Sequence, residues 1–174
     1  MLLRLLPLLF LCGCLVPGST DSVPSTSSDP KLQALDETLL SVYDVISGPA
    51  GERDWDRMRA LFHPEAARLM SVTPRPTGGT VLVVMTPDDY IERSGAYFAS
   101  NAFYETELAR RVEHYGHIAH VWSTYESRTD PADEPFARGI NTFQLMWDGE
   151  RWWVCSILWD QESPETPIPQ RYEG

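Results

Sequence analysis

Two apolar segments, Ile140-Asn141-Thr142-Phe143-Gln144-Leu145-Met146-Trp147 and Trp152-Trp153-Val154-Cys155-Ser156-Ile157-Leu158-Trp159, flank the turn Asp148-Gly149-Glu150-Arg151. Strand-like residues on either side of an Asp-Gly turn predict a β-hairpin. A loop of two or four residues gives the same parity, so Asn141, Phe143, Leu145 and Trp147 share a face with Trp152, Val154, Ser156 and Leu158. The other face carries Ile140, Thr142, Gln144 and Met146 with Trp153, Cys155, Ile157 and Trp159. Both faces are too apolar to stand in water, and each needs a cover. Helices of the same chain cover one. The outer face is expected to bury itself against a second copy, in a homodimer packed through this hairpin.

Working back toward the N-terminus, a period of two runs from Phe103 to Glu126. With a two-residue loop at Tyr115-Gly116, Thr106 faces Tyr125, Leu108 faces Ser123 and Val112 faces Ala119 on a mostly apolar side. Glu105, Glu107, Arg111, Glu113, His120, Trp122 and Glu126 fall on the other side. That register sets Glu105 opposite Glu126, an unfavourable pair unless a bulge shifts it. Three helices precede these strands. Leu32, Leu35, Leu39, Tyr43 and Ile46 recur at helical spacing until Gly48-Pro49. Asp54 caps a shorter helix with the apolar face Trp55, Met58, Leu61 and Phe62, ended by His63-Pro64. Thr86-Pro87-Asp88-Asp89 starts the third, with Ile91, Ser94, Tyr97 and Phe98 facing inward. Between the last two, Val81–Met85 reads as a strand after a turn at Pro74–Gly79. The tail, Glu162 to Gly174, holds three prolines and should be irregular, lying along the sheet.

The first residues speak of location. One charge, Arg4, precedes the apolar run Leu5–Leu11, which is too short to span a bilayer and suits a signal peptide over 1–18. Leu11-Cys12-Gly13-Cys14 resembles the bacterial lipobox, which implies cleavage before Cys14 and lipidation of that cysteine. Val16-Pro17-Gly18 offers an ordinary cleavage site instead, and simple secretion. Residues 19–30, rich in serine, threonine and proline, read as a disordered tether, and one folded domain follows over 31–161. The expected place is the periplasm or the outer membrane, with the membrane touched only through the N-terminal lipid. Cys155 has no mature partner for a disulfide and reads as a small buried apolar residue.

The charge is strongly acidic, with 14 Lys and Arg against 25 Asp and Glu and a net charge of -11, which opposes nucleic acid as a partner. Six tryptophans point instead to a pocket, an interface or both. No glycine-rich phosphate loop or nucleophile elbow is present, and nothing in the sequence calls for a cofactor.

The helix ending in Leu61-Phe62-His63-Pro64, the closing Asp148-Gly149-Glu150-Arg151-Trp152-Trp153-Val154, and above all the order of elements resemble the nuclear-transport-factor-2-like superfamily, nearest its SnoaL-like members. The resemblance covers nearly all of Lys31 to Asp160. It implies an α+β cystatin-like cone: a strongly bent antiparallel or mixed sheet wrapped round the N-terminal helix, with three helices, an open pocket and dimers. It further implies that an enzyme on this frame sets an acid or histidine inside the cone as general base and holds a substrate oxygen with Tyr, Asn or His.

By the register above, Tyr97, Ser123, Tyr125 and Asn141 point inward, with Trp55 and Phe98 as apolar lining, and no acid joins them. These six residues are the expected ligand contacts, for a small apolar molecule. His63 either acts as a base, with Tyr125 or Asn141 holding the oxygen, or caps the end of the second helix. His114, His117 and His120 would align on a helix but alternate on a strand, so no metal site is expected. Arg138 either receives a ligand carboxylate or pairs with Glu126 or Asp160. Three readings follow. The domain binds a small ligand; or it is a cofactor-independent lyase, isomerase or cyclase; or it is a dimeric scaffold with a filled cone.

Overall fold

A computed structural model gives the structure and describes residues 28–173. The lipobox, Cys14 and most of the tether lie outside the described residues. The fold is the expected α+β cone, built from three helices and one mixed six-stranded sheet.

Helix α1 spans Pro30–Ile46 and buries Leu35, Leu39, Val42, Tyr43 and Val45, the stripe its periodicity predicts widened by two valines. Asp29 caps its start. Its end is fixed by Arg53, whose buried guanidinium donates to four carbonyls, those of Ile46, Gly48, Pro49 and Gly51. Helix α2, Trp55–Leu61, is capped by Asp54. Helix α3, Pro87–Ser100, starts in a capping box: the Thr86 hydroxyl accepts from the Asp89 N–H and the Asp89 carboxylate accepts from the Thr86 N–H.

The strands are β1 (Arg68–Pro74), β2 (Thr80–Met85), β3 (Tyr104–Tyr115), β4 (Ile118–Arg128), β5 (Ala137–Trp147) and β6 (Trp152–Gln161), ordered β2-β1-β6-β5-β4-β3. β1, absent from the sequence reading, pairs antiparallel with β2 and parallel with β6. That one parallel pair makes the sheet mixed. α1 lies in its concave face, where Leu35, Leu39, Phe62, Val121, Phe143, Trp152 and Val154 form the driest part of the core.

Two single-residue bulges correct the expected faces. The β3–β4 loop is Gly116-His117 rather than Tyr115-Gly116, with Tyr115 paired to Ile118 and Val112 to Val121. This keeps the expected parity near the turn, but at Leu108 the register slips by one, so Glu107 pairs with Tyr125 and Glu105 with Ser127. Glu105 and Glu107 therefore turn inward, and the clash of Glu105 with Glu126 never arises. At Cys155 the same occurs in β6: Leu145 pairs with Val154, but Gln144 pairs with Ser156 and Phe143 with Ile157. Ile157 and Trp159 thus join the inner face, while Ser156 and Leu158 go outward. A bulge changes the facing of every residue beyond it, because side chains alternate with a strict period of two.

The tail crosses the outer face. Ile168 is buried, the Tyr172 ring stacks on Trp122 at 5.2 Å, and the Tyr172 carbonyl accepts from the Thr124 hydroxyl at 2.6 Å. Arg111 donates to the Arg171 carbonyl, and Arg138 pairs with Glu162 and Glu173 of the tail instead of Glu126 or Asp160.

Candidate functional site

The cone encloses a cavity of about 190 Å³ between α1, α3 and the inner face of β4, β5 and β6. Its wall is mostly apolar, supplied by Val42, Met58, Phe62, Phe103, Ile157 and Trp159 among others. Four polar side chains interrupt it beside Tyr90: Tyr43 from α1, Glu105 from β3, Tyr125 from β4 and Asn141 from β5.

Glu105 is held from both directions. The hydroxyl of Ser47, the residue after α1, accepts from the Glu105 N–H at 3.0 Å and donates to the Tyr43 carbonyl at 2.7 Å. Next along the chain, Gly48 and Phe103 exchange backbone hydrogen bonds at 2.7 and 3.0 Å. The end of α1 therefore fixes where β3 begins, and the bulge at Leu108 fixes which side its first half presents. On the carboxyl group, Ser127 donates to Oε2 at 3.0 Å and Asn141 Nδ2 lies 3.4 Å from Oε1. Burial pushes this carboxyl up to about 7, against those two hydrogen bonds, which favour the charged form. Its proton therefore exchanges near neutrality.

Tyr125 lies across Gly139, its cross-strand neighbour. A side-chain carbon at position 139 would stand 2.5 Å from the Tyr125 hydroxyl and 2.7 Å from its ring. The glycine thus makes the floor for the tyrosine. The hydroxyl has no hydrogen-bond partner among the described residues, and burial, with Glu105 and Asp160 nearby, pushes its pKa up. It stays a neutral donor. Behind Asn141, Tyr43 and Ser123 lie 2.6 Å apart, and Ser123 donates to Glu107, which pairs with Arg110. Burial raises Tyr43 far above the usual tyrosine range, with the carboxylates of Glu107 and Glu105 adding to the effect.

Of the residues expected from sequence, Tyr125 and Asn141 line the cavity, and Ser123 is fully buried just behind it. Trp55, Tyr97 and Phe98 do not line it. They form an aromatic row that reaches the cavity only through Phe103, 5.3 Å from Phe98, and Tyr97 is 47% exposed. Tyr90, two turns earlier in α3, lines the cavity in their place, and Phe98 packs on Trp55 of α2 and on Arg53 beyond the end of α1. His63 also stands outside: its Nδ1 accepts from the N–H groups of Glu65 and Ala66 at 3.3 Å, and its ring meets Trp153 edge-on. It caps a turn. His117 sits in the β3–β4 loop, and His120 faces Trp122 on the outer side. Sequence reasoning missed Glu105, Tyr43 and Tyr90 as cavity residues, and Glu107 as the buried acid behind them. The one signal for the acids was the like-charge pair with Glu126.

The described architecture is the nuclear-transport-factor-2-like, or cystatin-like, fold, and solved structures with that fold superpose on this chain. One is a nuclear-transport-factor-2-like protein of unknown function from Shewanella baltica, 15% identical, with a TM-score of 0.54 over 80% of this chain and 99% of that one. A protein of unknown function with a cystatin-like fold from Nostoc punctiforme is 10% identical, with a TM-score of 0.58 over 79% and 95%. A third, from Streptomyces avermitilis, is described as a candidate dehydratase of the nuclear-transport-factor-2-like family; it is 12% identical, with a TM-score of 0.59 over 79% and 99%. No protein-family model matches the chain, and no curated protein matches it in sequence.

Proposed function

We propose that this domain binds a small, mostly apolar molecule in the cone and exchanges a proton with it, as a cofactor-independent isomerase or lyase. The observation that carries this reading is a carboxyl group titrating at about 7 inside an apolar cavity, with an uncommitted tyrosine hydroxyl on the same wall. Glu105 takes the proton and Tyr125 donates to an oxygen on which charge develops, so no metal or cofactor need be invoked. The cavity is smaller than the ~300 Å³ at which drug-sized pockets begin, which limits the ligand to a compact molecule. An open cavity speaks against a scaffold with a filled cone.

Location and assembly complete the proposal. The sequence before residue 28 supports export and lipidation at Cys14, which would hold the cone at an envelope membrane by a short tether. A homodimer would use the outer face of the β5–β6 hairpin near Gln144 and Met146, because the tail lies over Ile140, Thr142 and Leu158.

The test is hydrogen–deuterium exchange of small cyclic ketones in deuterated buffer, followed by proton NMR with the exported form of the protein. Exchange at the carbon beside the carbonyl, at least ~100-fold weaker with Glu105→Gln, supports the reading. Equal exchange by the two proteins, or none across a panel that demonstrably binds, overturns it.

A further inference from the structure

While Glu107 is charged, the groups behind the cavity can be wired in one direction only. Arg110 donates to Glu107 Oε2 from Nε, at 2.9 Å, and from Nη2, and it pairs with Asp36 of α1 at its other edge. The Glu107 side chain is 2% exposed and that of Arg110 6%. Burial pushes the Glu107 carboxyl up, with Arg110 and the Ser123 hydrogen bond opposing it, and the two-point contact with the guanidinium is the geometry of a charged carboxylate. Ser123 has one hydrogen, and it goes to Glu107 Oε1. Tyr43, 2.6 Å from the same serine oxygen, must then donate to it. The Tyr43 oxygen is left as an acceptor, so the Asn141 atom 3.1 Å away is the amide nitrogen, and its second hydrogen is directed at Glu105 Oε1.

We propose that Glu107 is a positioning residue for Glu105: it draws Ser123, Tyr43 and Asn141 into one hydrogen-bond direction and so presents an amide N–H, not a carbonyl, to the cavity carboxyl. Were Glu107 neutral, its own hydrogen would go to Ser123, that of Ser123 to Tyr43, and that of Tyr43 to the Asn141 carbonyl oxygen. Glu105 would then meet an oxygen that repels its charged form and accepts from its protonated form. The chain has a second effect. It commits the Tyr43 hydrogen, leaving Tyr125 to donate to a ligand.

The other groups around Glu105 do not supply this control. Tyr43 and Ser47 face it from the end of α1, Tyr90 from α3, Tyr125 and Ser127 from β4, and Asn141 from β5, all uncharged at neutral pH. Arg53 acts on Tyr90 and Asp160 on Tyr125, each one residue further out. The geometry does not depend on the proposed proton transfer; its consequence for turnover rests on that reading.

Titration of the Glu105 carboxyl carbon by carbon-13 NMR tests the inference, with the resonance assigned by its loss in Glu105→Gln. In Glu107→Gln the new amide donates to Ser123 and reverses the chain; in Ser123→Ala the chain is cut while the ion pair stays, which keeps a folded variant in hand. Each should raise the Glu105 midpoint by about one pH unit, as expected for losing a hydrogen bond to a charged group, and the double variant should rise no further than the larger single. Unchanged midpoints in both single variants, or shifts that add in the double, would overturn it. The titration needs no substrate. Shifted midpoints without ketone exchange would leave the positioning role standing and remove the proposed function; exchange without shifts would do the reverse.

Discussion

Burial raises the affinity of Glu105 for a proton on folding, against two hydrogen-bond donors and, among the described residues, with no cation beside it. The sign of the consequence is fixed. Below the ordinary value of 4.5 both folded and unfolded chains hold the proton, and Glu105 does not affect stability. Between 4.5 and about 7 the unfolded chain loses it first, so stability falls as pH rises, and above about 7 the loss is complete. Glu105→Gln should therefore be more stable than the native protein at pH 8, by on the order of 3 kcal/mol, and about equal at pH 4. Urea denaturation at the two pH values measures this, and a constant difference between them would contradict it. Gly139 has a different constraint. Besides the tyrosine, a carbon there would stand 2.4 Å from the Asp160 carbonyl, so backbone must move. Gly139→Ala should cost about 1–3 kcal/mol, visible as a lower melting temperature; a neutral result would mean that the Tyr125 floor is soft.

Among the elements, β3 decides the chemistry. Leu108 is the residue in excess: with it deleted, Glu107 runs directly into Ala109, the two keep Tyr125 and Thr124 as partners, and Glu105 and Glu107 still face inward. Arg110 then keeps both Glu107 and Asp36 on its own face of the strand. The deletion should therefore leave the titration near pH 7 and the ion pair in place, which carbon-13 NMR and thermal melting can follow; loss of the titration would show that the strand re-pairs in another register. Such a bulge was not readable from sequence. Caps and turns are local: Asp54, Thr86 with Asp89, and Asp148-Gly149 declare themselves within four residues, and the helices and the final hairpin came out as expected. The facing of a half-strand depends on partners twelve or more residues away, and one unpaired residue reverses it. Near the turn, Val112, Ala119 and Ser123 were assigned correctly; beyond Leu108 and Cys155 the assignments inverted. β1 was missed for a related reason, since Arg68–Pro74 is only partly buried and shows no clean alternation.

For the molecule as a whole, the tail covers the outer face at Trp122 and Thr124 and walls an open pocket with Ile140, Thr142 and Leu158. Its hold is distributed: the Trp122–Tyr172 stack, Arg111 on a carbonyl, and Arg138 between Glu162 and Glu173. Truncation after Gln161 should expose this face, lower the melting temperature and raise the sedimentation coefficient through self-association at micromolar concentration; an unchanged coefficient would show that the bare face does not associate. At the opposite end, Lys31 sits over the rings of Trp147 and Trp152, and the Trp152 N–H donates to its carbonyl, so α1 is clasped by the hairpin where it begins. The outline of the cone is thus held at its ends, away from Leu108. Leu108 is a spare residue that β3 carries as a bulge while both acids keep their places inside the same envelope. On such a frame a change of one residue in strand length at Leu108 is absorbed where it occurs, and the groups that face the cavity outlast it.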